Sequence, residues 1–279
     1  MRVSVGDIEL PVHERGEGRP LVALHGGPGL DGSVWFPGLD RIAAAGYRVL
    51  ALDQRANGLS DAGNPALWTV PQMADDAEAL IGALELENVV VMGWSFGSFV
   101  TQSHMVRHGS AAAYVLMGTV SHPGALASIA RELATFEPEA LREQVSASWE
   151  LEATVETPEQ ARQLWHDQIP FQVADPTGPI VSQLIAEDRV VFRPEILRQF
   201  AAGGEYGMLD LREELRAVTQ PVLVLSGAHD RTTLAASAHE LTAIIPNCEE
   251  VVFADSAHMF IREQPDAFTV TLTDFLERH

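Results

Sequence analysis

The sequence predicts an α/β protein: a mostly parallel central sheet flanked by helices and interrupted by a helical insertion. Three observations carry this. Short β-rich runs alternate with amphipathic helical segments up to about residue 121. From about His122 to about Gly204 the alternation stops, leaving helical segments separated by Pro and Gly, and it then resumes. One run, Val89–Gly93, is apolar almost throughout, as a strand is when both faces of a parallel sheet are covered. Alternating β and α units call for a sheet with helices on its faces, and a helical break places an insertion above one edge.

Taken in order, Arg2–Val5 and Ile8–Glu14 form an opening hairpin with Gly6-Asp7 as turn material. Leu21–Leu24 is a brief strand entering a glycine-rich loop, and Tyr47–Leu52 is a strand ending at Asp53. Met73, Ala77, Leu80 and Leu84 recur at helical spacing within Val70–Leu84. Val89–Gly93 leads into a helix at Phe96–His108, followed by a strand at Tyr114–Met117. The insertion reads as helices at Leu126–Thr135, Glu139–Trp149, Pro158–Asp167, Ile180–Glu187 and Pro194–Phe200. After it come a strand at Pro221–Ser226, a helix at Leu234–Ile245, a strand at Glu250–Phe253 and a helix at Pro265–Arg278. The expected division is a core of residues 1–121 and 205–279 and a helical cap of residues 122–204.

Composition narrows the function. A hydrophobic fraction of 46% with 20% charged residues belongs to a soluble globular chain. Net charge is −21, from 39 acidic against 18 basic residues, which repels nucleic acid and anionic membrane. It serves solubility, or an acidic pocket for a cationic substrate. Cys248 stands alone, excluding an internal disulfide and a cysteine metal cage. This fits a reducing cytoplasm, as it fits a secreted protein without disulfides. The N-terminal MRVSVGDIEL lacks an apolar core, so no signal peptide is expected, and no stretch approaches a membrane span.

Ligands of parallel sheets bind beyond the carboxyl ends of the strands, so the residues just after each strand matter most. Gly93-Trp94-Ser95-Phe96-Gly97 matches G-x-S-x-G between a predicted strand and a predicted helix, the context in which that pattern marks a nucleophile. Ser95 needs a base. His258, in a loop between the last strand and the last helix, fits; His104, His108, His166 and His239 fall in or beside helices, His25 in the glycine loop. Asp230 follows a strand, 28 residues before His258, as the acid that orients the imidazole. Asp188 and Asp210 are possible substitutes, though neither follows a strand. An oxyanion hole needs two N–H donors. Phe96 should supply one and His25-Gly26-Gly27-Pro28-Gly29 the other, with Gly27 favoured and Gly26 the alternative, since Pro28 has no N–H. No Gly-Lys-Ser/Thr and no G-x-G-x-x-G accompanies this loop, which removes the phosphate-loop and dinucleotide readings.

With these residues the chain resembles the α/β-hydrolase superfamily over essentially its whole length. The His25–Gly29 run resembles the HGGPG motif of proline iminopeptidases, and Asp53-Gln54-Arg55 with Gly58 and Ser60 is similar to their D-Q-R-G-x-G-x-S segment. Ala56 departs from that segment's glycine, and Trp94 from the glycine more usual before the elbow serine. The loop is shared with related esterases and lactonases. The resemblance implies a cofactor-free, metal-free enzyme acting on a short peptide or small ester. It implies carboxylates that hold a free amine, for which Glu205 is the candidate, and a substrate wall that includes Trp94. A non-catalytic binding protein on this fold would be expected to lack a triad member, and here none is missing. Oligomeric state is not legible.

Overall fold

In the computed structural model, residues 1–202 and 210–279 are described. Their strands are β1 (Arg2–Val5), β2 (Ile8–Arg15), β3 (Arg19–Leu24), β4 (Tyr47–Leu52), β5 (Val90–Trp94), β6 (Ala113–Met117), β7 (Val222–Gly227) and β8 (Cys248–Phe253). They form one sheet in the order β1-β2-β4-β3-β5-β6-β7-β8. β2 pairs antiparallel with β1 and β4; every later pairing is parallel. The helices are α1 (Asp40–Ala44), α2 (Val70–Ala83), α3 (Phe96–Arg107), α4 (Ser128–Ala134), α5 (Glu139–Leu151), α6 (Pro158–Gln172), α7 (Pro179–Glu187), α8 (Pro194–Ala202), α9 (Ala235–Ile244), α10 (Phe260–Glu263) and α11 (Pro265–Arg278).

Alternation along the strands builds two cores. Val22, Leu24, Leu50, Val91 and Val224 pack on one face with α2, α3 and α9 residues such as Leu80, Val100 and Leu241. Leu21, Ala23, Val49, Met92 and Leu223 point the other way, onto Ile42 of α1 and Phe268, Leu272 and Phe275 of α11. Successive side chains of a strand face opposite sides, so a strand covered on both faces is apolar at every position.

Two differences from the sequence-based expectation have plain causes. α1 and α10 leave no signal in the sequence, because five and four residues are too short to display a helical period. α6 runs past Asp167 and through Pro170 to Gln172. Proline removes one helical hydrogen bond, but Ile169 and Phe171 on either side are fully buried and hold the last turn in place.

Between β6 and β7 the described chain is helical, and main-chain contacts fasten it to the core. Arg193 N–H donates to Gly29 O at 2.9 Å, and Val191 N–H to Asp31 Oδ2 at 3.0 Å. Arg193 Nε also donates to Gly58 O at 2.6 Å. No helix among the described residues is long and apolar enough to cross a membrane.

The end of α2 yields a stability prediction. Glu85 sits at φ +49° just past the helix, where Leu86 N–H donates to Ile81 O at 3.0 Å and Glu85 N–H to Gly82 O at 3.1 Å. This is a Schellman cap with an exposed glutamate in the position glycine favours, and its charge opposes the helix dipole. Glu85→Gly removes the left-handed strain and the adverse charge, partly offset by the extra freedom of glycine when unfolded. Stabilisation of about 1 kcal/mol, or roughly 2 °C in Tm, is expected by thermal denaturation.

Candidate active site

Ser95 stands between β5 and α3 with φ +53° and ψ −116°. For a residue with a side chain this conformation costs about 1–3 kcal/mol. It persists because its surroundings admit nothing else. A Cβ on Gly93 would lie 2.1 Å from Gly97 O, and one on Gly97 would lie 2.0 Å from Leu24 O. The two flanking glycines therefore let strand and helix meet at the distance the turn demands. Ser95 N–H donates to Met117 O at 2.8 Å, and Ser98 Oγ donates to Ser95 O at 2.6 Å, tying the turn to β6 and α3.

His258 and Asp230 come together from the ends of β8 and β7. His258 Nδ1 lies 2.7 Å from Asp230 Oδ2, with the side chains 3% and 0% exposed. Asp230 Oδ1 accepts from the N–H groups of Thr232 (2.8 Å) and Thr233 (2.9 Å), and Oδ2 from Thr233 Oγ1 (2.7 Å). A carboxylate so surrounded by donors accepts the imidazole proton on Nδ1, which leaves Nε2 as a lone-pair acceptor. The ring is held on both sides. Trp94 packs against it at 5.3 Å and donates its indole N–H to His258 O at 3.2 Å. Gly118 lies so close that a Cβ there would be 2.8 Å from His258 Cε1.

The glycine loop after β3 reaches the same place. Gly27 has φ +117°, a conformation that L side chains rarely adopt, and a Cβ on Gly26 would stand 3.3 Å from Ser95 Cβ. His25 is a fixture of this loop, fully buried, and burial depresses its pKa. Its Nδ1–H donates to Gly26 O at 2.7 Å while Nε2 accepts from Gln54 N–H at 3.2 Å. Gln54 Nε2 donates to His25 O, and Asn57 Oδ1 accepts from Gly29 N–H at 2.6 Å. The Asp53–Ser60 segment thus serves as the brace of the glycine loop. Ala56 keeps the left-handed conformation natural to glycine, φ +61°, with its methyl buried in the core.

Ser95, Phe96, Gly27 and His258 open onto one cavity of about 1010 Å3, mouth included. Its far side is built by the helical segment: Trp149, Glu152, Leu164, Trp165 and Gln168. Glu152 is the one acidic residue in the described wall. Burial pushes its carboxyl up to about 7, against the opposing hydrogen bond from Gln168 Nε2 at 2.7 Å. Around it the wall mixes apolar side chains such as Leu164, Trp165 and Phe192 with the amides of Gln168 and Gln172.

The alternative acids lie elsewhere. Asp188 accepts from Arg162 and from His166 Nε2 (2.9 Å), and exposed Asp210 pairs with Arg212 at 2.6 Å. Neither touches His258. Trp94 lines the cavity and backs His258. Glu205 lies outside the described residues. Sequence reasoning missed Glu152, an unremarkable acid at a helix end, and Thr233, which bridges Asp230 and His258 at 2.7 and 3.2 Å. A threonine three positions beyond the acid was the available signal for the second. His13, Asp31 and Asp53 also bring donor atoms within 4.8 Å of one another. Their oxygens already accept from Ser33, Gly32, Leu59, Val191 and His13, so this cluster holds loop and insertion together.

Comparison with known proteins agrees with this architecture. The family model described as alpha/beta hydrolase fold matches residues 19–265. The chain is 26% identical over 285 residues to the non-heme chloroperoxidase CPO-A1 of Kitasatospora aureofaciens, covering 97% of each chain. It is 27% identical over 296 residues to a proline iminopeptidase of Levilactobacillus brevis, covering 99% of this chain and 92% of that one. Among solved structures, an esterase from Exiguobacterium antarcticum superposes with a TM-score of 0.76 at 22% identity, covering 99% of both chains. Relatives of equal identity bear names for different reactions, so the choice among them rests on the site.

Proposed function

Since the chain belongs to the α/β-hydrolase family, we propose that it is a serine hydrolase working through an acyl-enzyme, and that it removes the N-terminal residue of a short peptide. His258 Nε2 takes the proton of Ser95 as Oγ attacks the carbonyl, and Asp230 balances the imidazolium. Phe96 and Gly27 N–H groups receive the oxyanion, aided by the positive end of α3. His258 then protonates the leaving amine and activates water to release the acyl group.

The observation that carries the peptidase reading is Glu152, a carboxyl in the same cavity wall as Ser95. In the proposed role it takes the part for which Glu205 was the sequence candidate: a protonated substrate amine stabilises its ionised form and is fixed by it. A second reading, hydrolysis of small neutral esters, is favoured by the apolar side chains of the wall, Leu164, Trp165 and Phe192 among them.

A substrate pair separates the two. In wild type, kcat/KM for alanyl or prolyl arylamides should exceed that in Glu152→Gln by about 10- to 100-fold, the worth of a charge-assisted hydrogen bond. The loss should sit in KM, with p-nitrophenyl esters little changed. Raised to about 7, Glu152 gains charge as pH rises, while a substrate α-amine loses its own near pH ~8. The amide-to-ester ratio should therefore climb through neutrality and fall above pH ~8, and it should be flat in Glu152→Gln. His258 acts on both substrates and cancels in the ratio. An equal effect on amides and esters would refute the amine-binding role, and ester turnover without amide turnover would establish the second reading.

A further inference from the structure

A second cavity, of about 740 Å3 with its open mouth included, shares Trp165 with the first as part of its wall. Its apolar lining includes Phe36, Leu184 and Met259. Its polar lining runs against the character of the molecule. The chain carries −21, and its 18 basic side chains are all arginines, yet Arg15, Arg189 and Arg262 all face this one space.

The acids of the wall cancel only part of this charge: Glu187 pairs with Arg262 and lies in the field of Arg189. Asp188 is occupied by Arg162, His166 and Val190 N–H. Glu187 contacts Arg262, whose side chain is 10% exposed. Arg189 hydrogen-bonds only main-chain carbonyls among the described residues, those of Ala186 (3.2 Å) and Asp188 (2.7 Å). Its charge meets no hydrogen-bonded carboxylate. Arg15 lies over the Phe36 ring at 4.9 Å, with Asp40 3.7 Å away at an exposed position. His13, also in the wall, is held towards its protonated form by its hydrogen bond to Asp53.

We infer that this cavity binds a small organic carboxylate with an apolar body, its charge on Arg189 and its body against Phe36, Leu184 and Trp165. A guanidinium offers two parallel donors that fit a carboxylate. The apolar walls give such a ligand an advantage over inorganic phosphate, which would have to shed water against Leu184 and Met259. The inference concerns a site apart from Ser95 and does not depend on which bond that serine cleaves.

Isothermal titration of the full chain with benzoate, benzamide and inorganic phosphate tests it. Benzoate should bind saturably, with benzamide and phosphate at least tenfold weaker. Arg189→Gln, at an exposed position, should weaken benzoate at least tenfold without altering turnover at Ser95. Leu184→Trp, which puts bulk into this cavity at a residue that does not line the first, should abolish benzoate binding. Absence of benzoate binding, equal binding of benzamide, or benzoate binding unchanged in Arg189→Gln would overturn the inference. If Leu184→Trp does not fold, the Arg189→Gln comparison decides alone.

Discussion

Ser95→Ala should lower kcat for every ester and arylamide substrate by about 10^6, the scale seen when an activated serine is removed from a triad. Residual rate above water, about 10^3- to 10^4-fold, would come from the oxyanion donors and from binding. The size of the loss tests the proposed acyl-enzyme directly, because a cavity that merely binds substrate would lose little. Stability gives an independent reading. Alanine retains a Cβ and with it the strain of φ +53°, ψ −116°, so Tm should stay close to wild type. Glycine at the same position relieves that strain and should raise stability by about 1 kcal/mol after its greater unfolded-state freedom is counted. Ser95→Gly would then be inactive yet more stable, the signature of strain maintained for chemistry. Ser95→Ala retaining more than a hundredth of wild-type kcat, or an unstrained Ser95→Gly with unchanged Tm, would contradict this account.

How much of this was legible in the sequence depended on whether a feature is local. The sheet was readable because Val90–Met92 and Val222–Leu225 are apolar at every position and are bounded by loops. The G-x-S-x-G turn was readable because its pattern is local, with Gly93 answering Gly97 O four residues on, although Gly97 itself answers Leu24 O at the end of β3. Asp230 and His258 were readable only as positions that follow strands; their 2.7 Å contact comes from the parallel pairing of β7 with β8. Glu152 was not readable at all. Nothing in its neighbours distinguishes it among 39 acids, and it reaches the Ser95 cavity through the packing of α5, α6 and the following turns. The expected helix Pro158–Asp167 runs on through Pro170 to Gln172, because burial of Ile169 and Phe171 outweighs the lost hydrogen bond. Long-range packing decided each case that local rules did not.

Asp230→Asn should lower kcat by about 10^4 while leaving the fold intact, and the hydrogen bonds show why an isosteric change does so much. Oδ1 accepts two main-chain N–H groups, from Thr232 and Thr233. An asparagine must keep its carbonyl oxygen there, because its amide nitrogen would face two donors. Its NH2 then occupies the place of Oδ2, beside His258 Nδ1. The amide donates to Nδ1, the ring proton moves to Nε2, and Nε2 can no longer accept the proton of Ser95. Asp230→Ala should differ in kind. It leaves the Thr232 and Thr233 N–H groups buried without an acceptor, at a cost of about 1–3 kcal/mol each, so stability should fall along with rate. Asp188→Asn and Asp210→Asn complete the comparison, since those carboxylates pair with Arg162 and Arg212 and not with His258. Both should retain kcat within about a factor of two to three. Steady-state kinetics and thermal denaturation on the four variants would identify the acid: a loss of ~10^4 in Asp188→Asn or Asp210→Asn, with Asp230→Asn near wild type, would reassign it.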